Sequence, residues 1–128
     1  MVAMVGTNNL KVEDSETIID KYKVLVEEMK KVNCRKRTVI GILARSDVDG
    51  FTNRKRMGIN MRLEQLCKVN DVDFMDPWKI YVNINGETPF RSEKIGLQIL
   101  DRGGLHLNGW GQEKIAKLIF DHCVRSLN

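Results

Sequence analysis

The stretch that decides the fold is "MVAMVGTNNL", residues Met1–Leu10. Five consecutive apolar residues end at Gly6, and the following "GTNN" is typical of a turn. A short, continuous apolar run predicts a strand that is buried on both faces, as in a parallel sheet. A turn that directly follows such a strand lies at its carboxyl end, which is where ligands bind in open parallel sheets.

Further strands and helices alternate along the rest of the chain. Helices are predicted from apolar residues at helical spacing, and strands from short β-rich runs. Apolar residues from Ile18 to Met29 mark the first helix, which has the acids Glu13, Asp14 and Glu16 at its start and Lys30 and Lys31 at its end. Apolar residues from Ile59 to Cys67 mark a second helix of about three turns, and the last helix runs from about Gly111 to Val124. The predicted strands cover residues 1–5, 38–44 and 71–76. This order of elements favours a parallel sheet with helices on both faces and right-handed crossovers.

Two segments show neither the helical spacing nor a β-rich run. Residues 45–56, "RSDVDGFTNRKR", are predicted to form a polar loop. Residues 78–100 show no clean period, and a long irregular segment in a compact domain is often functional.

The composition is that of a globular protein with one domain. The chain has 128 residues, of which 42% are hydrophobic and 30% are charged. It contains no apolar run long enough to span a membrane, and "MVAMVGTNNL" does not have the pattern of a signal peptide. An odd number of cysteines, expected to be reduced thiols, favours an intracellular, cytoplasmic protein.

The three cysteines have no spacing typical of a metal site. Cys67 and Cys123 fall on apolar helical faces and are predicted to lie in the core, as reduced thiols. No metal and no cofactor is expected.

The net charge of +4 includes two basic clusters, at residues 30–37 and 54–56. One interpretation is a surface that binds nucleic acid. The other is a helix C-terminus at which cations complement the helix dipole. No aromatic residues alternate with the basic ones for base stacking, which favours the second interpretation.

Two side chains suited to acyl transfer are predicted to share one edge of the sheet. Asn8 follows the first strand, and His106 precedes the last helix in "GLHLNGWG", residues 104–111. An Asn amide can donate to a developing oxyanion, and a neutral imidazole can accept a proton from a hydroxyl group. The other histidine, His122, is predicted to be partly buried beside the apolar face of the last helix.

These motifs resemble a known family. "VGTNNL" resembles the block of SGNH (GDSL-type) hydrolases in which Gly-x-Asn supplies an oxyanion donor, and "GLHLNGWG" resembles the block that carries the catalytic histidine. "KYKVLVEEMK", "GILARSDVDG", "INMRLEQLC" and "VDFMDPW" resemble the animal branch, in which similar domains also occur beside retroelement sequences. The resemblance implies an α/β, three-layer, flavodoxin-like fold with a parallel sheet, truncated here to about three strands with flanking helices.

The resemblance also implies roles for individual residues. Asn8 would be the oxyanion donor, Gly6 would shape the turn that presents it, and His106 would be the general base of an esterase. Leu107 and Asn108 would set the loop that leads into the final helix.

Two departures from the family pattern concern the catalytic triad. The nucleophilic serine of the family lies in a Gly-Asp-Ser block that would precede Met1, and the acid three residues before the histidine is Gly103 here. Asp101 is a candidate substitute acid. Residues 1–128 are therefore predicted to be a single domain without the serine-bearing strands, and inactive alone, because a triad works as a unit.

The missing strands also bear on assembly. Without them residues 1–5 form an edge strand, and an uncharged apolar edge is a template for pairing with another chain. We expect self-association through this strand or pairing with a missing N-terminal segment. The alternatives to a hydrolase-like domain are a non-catalytic interaction module and a basic nucleic-acid accessory domain.

Overall fold

The computed structural model describes residues 1–6, 9–43, 50–77 and 106–125. Its elements follow the predicted order. They are β1 (Val2–Met4), α1 (Ser15–Lys30), β2 (Thr38–Ile40), α2 (Gly50–Val69), β3 (Asp73–Met75) and α3 (Gly109–Arg125). The predicted irregular segment, residues 78–100, lies outside the described part of the chain.

The strands form a parallel sheet in the order β1-β2-β3. Ala3, Val39 and Phe74 are aligned across it and pack into one core with α1 and α2, to which Ile18, Val26, Leu63 and Cys67 also belong. Helices α1 and α2 contact each other and share this core with the sheet, so both lie on the same face of it. The chain thus has an α/β, flavodoxin-like fold.

Strand β1 is more accessible than predicted. Ala3 packs against the core, but Val2 and Met4 are each 43% exposed. Among the described residues β1 pairs with β2 alone, so its other edge is not part of the sheet. The prediction that this strand is buried on both faces is therefore wrong.

Strand β2 is shorter than the predicted run, although Gly41, Ile42 and Leu43 are all buried. At Ile42 the side chain of Asn60 replaces a neighbouring strand. Its Oδ1 accepts from the Ile42 N–H at 2.8 Å, and its Nδ2 donates to the Ile42 carbonyl at 3.0 Å. The regular ladder ends because the backbone of Ile42 is paired with a side chain of α2.

Helix α2 begins at Gly50, nine residues before Ile59, where its apolar period starts. Its buried face includes Arg56, which is 1% exposed, and Asn60, which is 3% exposed, in line with Ile59 and Leu63. The first turns carry polar residues on the inward face, so they lack the apolar period that predicts the rest of the helix. The prediction of a loop for residues 50–56 is wrong.

Helix α2 ends in a Schellman motif built on an aspartate. The Val72 N–H donates to the Cys67 carbonyl at 2.9 Å, and the Asp71 N–H donates to the Lys68 carbonyl at 3.4 Å. Asp71 has a φ of 56°, in the left-handed region where glycine is usual and Asp is tolerated. This motif turns the chain directly into β3.

Helix α1 is capped by side chains at both ends. Asp14 is the N-cap, and its carboxylate accepts from the Thr17 N–H at 2.7 Å. At the other end the Arg37 guanidinium donates to the carbonyls of Met29, at 2.7 Å, and of Val32. Arg37 of the first basic cluster thus caps a helix C-terminus, as the second interpretation of the basic clusters expects.

Helix α3 begins at a side-chain cap, because Asn108 Oδ1 accepts from the Gly111 N–H at 2.8 Å. The inward face of α3 includes the buried Gly111 and Ile115 and, near its end, the partly buried His122. Cys123, the next residue, lies outside that face. Cys123 is therefore exposed, and its prediction as a core residue is wrong. Cys67, in α2, is buried as predicted.

The chain divides into two compact units. One comprises Met1–Ala44 with Val48–Asp76, and the other comprises Arg45–Asp47 with Pro77–Asn128. The first contains the sheet with α1 and α2, and the second contains His106 and α3. None of the described helices is long and apolar enough to cross a membrane.

Candidate functional site

The turn after β1 depends on a glycine. Gly6 has a φ of +95°, a region that L side chains rarely adopt, and its carbonyl accepts from the Asn9 N–H at 3.1 Å. A Cβ atom at Gly6 would lie 2.8 Å from the Tyr22 hydroxyl oxygen. Conformation and space therefore both require glycine at this position.

Tyr22 of α1 forms a hydrogen bond to the residue that directly follows β1. Its side chain is almost fully buried, at 2% exposure, and its hydroxyl donates to the Val5 carbonyl. Burial raises the pKa of Tyr22 well above its usual value, so the phenol stays neutral and remains a donor. The strand end and the first half of α1 are thus joined by a buried hydrogen bond.

Glu13 connects Asn9, in the turn after β1, to Lys21 of α1. Its Oε1 accepts from Asn9 Nδ2 at 2.8 Å and from the Lys21 ammonium. These two bonds, that of Lys21 first, lower the pKa of Glu13, because both stabilise the carboxylate. The Glu13 N–H also donates to the Asn9 carbonyl at 2.9 Å, which makes residues 9–13 one tight turn.

Lys55 connects α2 to this same turn. Its ammonium donates to the Leu10 carbonyl at 2.8 Å and to the Glu13 carbonyl. The neighbouring Arg56 is buried and donates to the Ile42 carbonyl at 3.4 Å. Two members of the second basic cluster therefore contact backbone in the interior or at the turn, whereas Arg54 is exposed.

A pocket of 230 Å³ opens beside the turn. Its walls come from the end of β1, the turn and one face of α1, and they are mostly apolar. The lining residues are Val5, Gly6, Asn9, Ile18, Lys21, Tyr22 and Leu25. The pocket lies at the carboxyl end of a parallel strand, which is the position expected for ligands in this fold class.

His106 lies in the second unit, two residues before the N-cap of α3. It is exposed, while Leu107 and Asn108 are partly buried. The Leu107 carbonyl accepts from Gln112 Nε2 at 3.2 Å, so both residues that follow His106 contact the first turn of the helix. Asn108 therefore fixes the entry into the final helix, as the resemblance implied.

The predicted site is described in part. Asn8, Asp101 and Gly103 lie outside the described residues, and Gly6 and His106 fall in different compact units. The pairing of Asn8 with His106, and the role of Asp101 as a substitute acid, stay predictions.

The contacts that hold the turn were missed from the sequence. The helical period includes Tyr22 only as an apolar residue of α1. The charge pattern places Glu13 at a helix start and Lys55 in a basic cluster. The partners of Lys55 are the carbonyls of Leu10 and Glu13, which lie 45 and 42 residues away in the sequence. The one local signal was the Glu13 position four residues after Asn9, a spacing that allows contact within one turn.

No cluster of His, Cys, Asp and Glu side chains in the described part of the chain could hold a metal ion. The described side chains thus point to no metal centre.

Comparison with known proteins bears on the fold. The sequence matches no established protein-family model and no curated protein. Among solved structures, a GDSL-like lipase from Bacteroides thetaiotaomicron is similar, with a TM-score of 0.72 and 18% sequence identity. The similarity covers 98% of this chain and 62% of the lipase chain. At that identity it establishes a GDSL-like fold.

Proposed function

We propose that residues 1–128 are the histidine-bearing portion of an SGNH-type ester hydrolase domain. Asn8 would supply an oxyanion donor and His106 the general base, as in acyl transfer by a serine nucleophile. The serine would come from a segment outside these residues, so the chain alone does not hydrolyse esters.

The observation that carries this proposal is the Gly6 turn at the carboxyl end of β1. Gly6, two residues before Asn8 in the sequence, has the positive φ that lets a tight turn follow a strand. The similarity to a GDSL-like lipase supports the same assignment at the level of the fold. His106 beside a capped helix start also agrees with the proposed role, since the cap fixes the residues that follow the imidazole.

The proposed mechanism divides the roles among few groups. His106 would remove the proton from the attacking hydroxyl and later return one to the leaving alcohol. The Asn8 amide would donate to the oxygen that becomes negative in the tetrahedral intermediate. Asp101 would orient the imidazole, because Gly103 has no side chain for that purpose.

A fluorophosphonate probe and short-chain p-nitrophenyl esters test this proposal. We expect no probe adduct and no His106-dependent hydrolysis with the 128-residue chain. A longer chain with an in-frame Gly-Asp-Ser block before Met1 should carry the adduct on that serine and hydrolyse the esters. His106→Ala should reduce this activity by about three orders of magnitude or more.

The second histidine provides the matched control. His122→Ala removes a partly buried side chain from α3 and should leave ester hydrolysis by the longer chain unchanged. Adduct formation on Ser15, Ser46, Ser92 or Ser126 of the short chain would refute the proposal. So would full activity of the His106→Ala variant of the longer chain.

A further inference from the structure

We propose that the pocket beside the Gly6 turn binds a straight acyl chain of about nine carbons, the carbonyl carbon included, so that esters of medium-length acids are the preferred substrates. The inference rests on the proposed function, because it assigns the pocket to the acyl part of the same ester. Four features of the pocket support it: its walls, its polar rim, its position and its size.

The walls of the pocket favour an apolar ligand. Val5, Ile18 and Leu25 contribute aliphatic surface, and Tyr22 contributes its ring. The Tyr22 hydroxyl is already bonded to the Val5 carbonyl and stays protonated, so it adds no charge to the wall. Transfer of methylene groups from water into such surroundings is favourable.

The rim of the pocket favours an uncharged ligand over a free acid. Its polar side chains are Asn9 and Lys21, and both donate to the Glu13 carboxylate. The Lys21 charge is thereby compensated within the protein. An ester or a neutral analogue enters without breaking this pair, whereas a carboxylate would compete with Glu13 for the ammonium group.

The position of the pocket connects it to the proposed oxyanion donor. Gly6 and Asn9, which flank Asn8 in the sequence, both line the pocket. An ester whose carbonyl oxygen is held at this turn would therefore extend its acyl chain along α1, over Ile18 and Leu25.

The size of the pocket sets the length of the chain. A cavity of about 150 Å³ accommodates benzene, a ligand of six carbons. In proportion, the 230 Å³ of this pocket corresponds to roughly nine carbon atoms, the carbonyl carbon included.

An NMR titration of the 128-residue chain with methyl ketones tests the inference, since these are neutral ester analogues that cannot be hydrolysed. Along the series from 2-pentanone to 2-undecanone, the amide signals of Gly6 and Leu25 should shift. Affinity should rise about fourfold per methylene, and the increase should stop near 2-decanone, in which the carbonyl carbon and the octyl chain together have nine carbons.

Two pairs of tryptophan variants on α1 make the test specific. Leu25→Trp fills the pocket and should reduce the affinity for 2-nonanone at least tenfold, whereas Val24→Trp, at a position that is 64% exposed, should not. Because Leu25 packs against the core, a second variant changes the rim. Lys21→Trp should also weaken binding, and Lys23→Trp, on the same helix but outside the pocket, should not.

Affinity that does not depend on chain length would overturn the inference. Shifts confined to exposed apolar residues of α2, such as Phe51 and Met61, would overturn it as well. The titration needs no serine, so its failure is separate from failure of the proposed function. A longer chain that binds ketones yet hydrolyses no ester would refute the proposed function and leave the pocket assignment intact.

Discussion

At the scale of single residues, Gly6 and Gly58 are a matched pair with opposite roles. Gly6→Ala should destabilise the protein by about 1–3 kcal/mol, because alanine would adopt a strained φ and its Cβ would crowd the Tyr22 hydroxyl. Gly58→Ala should stabilise it by about 0.5–1 kcal/mol, since Gly58 is inside α2 with open space around it. Urea unfolding of the two variants measures both effects. Equal signs would contradict this account of the turn.

The acidic residues around the start of α1 predict the direction of a pH dependence. The pKa of Glu13 is lowered by Lys21 and Asn9, that of Asp14 by the Thr17 N–H, and that of Glu16 by Arg62. A carboxyl group with a lowered pKa in the folded state contributes stability above its unfolded pKa. That stability is lost as pH falls through the folded pKa.

The free energy of unfolding should therefore be flat near neutral pH and fall below about pH 4. Glu13→Gln should reduce this slope, because glutamine does not titrate and still accepts from Asn9 and Lys21 through its amide oxygen. Urea midpoints measured from pH 3 to 7 test the sign. Stability that rises on acidification would contradict the predicted direction.

Cys67 and Cys123 should differ in reactivity. Burial raises the pKa of Cys67 to about 11, and the Asp73 carboxylate adds to that effect, whereas Cys123 is exposed. Iodoacetamide at pH 8, followed by mass spectrometry, should modify Cys123 within minutes and Cys67 only in urea. Equal rates in native buffer would show that α2 does not protect its thiol.

At the scale of elements, Asn60 of α2 is bonded to the backbone of Ile42, two residues after β2 ends. Asn60→Leu should destabilise the protein by about 1–3 kcal/mol, because the buried Ile42 N–H would lose its partner and the Ile42 carbonyl would keep only the 3.4 Å bond from Arg56. Gln65→Leu, at an exposed position of the same helix, should change stability by less than about 0.5 kcal/mol. Thermal unfolding of both variants provides the comparison.

The same helix shows how far the sequence determines what can be predicted. The apolar period located Ile59, Leu63 and Cys67 on the buried face of α2. It did not reveal the first turns, because Arg56 and Asn60 occupy that face with polar groups whose partners are backbone atoms of another element. Periodicity reports burial of apolar residues alone, so a buried polar face has no local signature.

The candidate site divides along the same line. The glycine turn and the loop before α3 were predictable because their signals are local: a glycine after an apolar run, and Asn108 before a helical pattern. Glu13, Tyr22 and Lys55 were not, because their roles arise from contacts between elements. The exposure of β1 also depended on its neighbours in the sheet, which a run of five apolar residues does not specify.

At the scale of the whole molecule, we propose self-association through the β1 edge. Val2 and Met4 are each 43% exposed, and among the described strands β1 pairs only with β2. Analytical ultracentrifugation at high micromolar concentration should detect dimers. Val2→Lys combined with Met4→Lys should give monomers, whereas Val24→Lys, on α1, should not. A wild-type chain that stays monomeric would refute this proposal.

Nucleic-acid binding is a separate prediction from the net charge of +4. Two of the basic side chains have structural roles: Arg37 caps α1, and Lys55 donates to a carbonyl of the turn. Binding to oligonucleotides that weakens steeply with salt would support the nucleic-acid alternative. We expect weak binding at physiological salt.

The bond between Tyr22 and Val5, and the space that it leaves for Gly6, have a consequence for how relatives of this chain should be interpreted. Folding alone gives a reason to retain the tyrosine and the glycine, since loss of either disturbs the packing of α1 on β1. A lineage that had lost hydrolysis would still be selected to keep them. Their presence in another sequence therefore indicates an intact scaffold. Under the proposed function, only the nucleophile and the group that orients His106 would distinguish an enzyme from a descendant that has lost its chemistry.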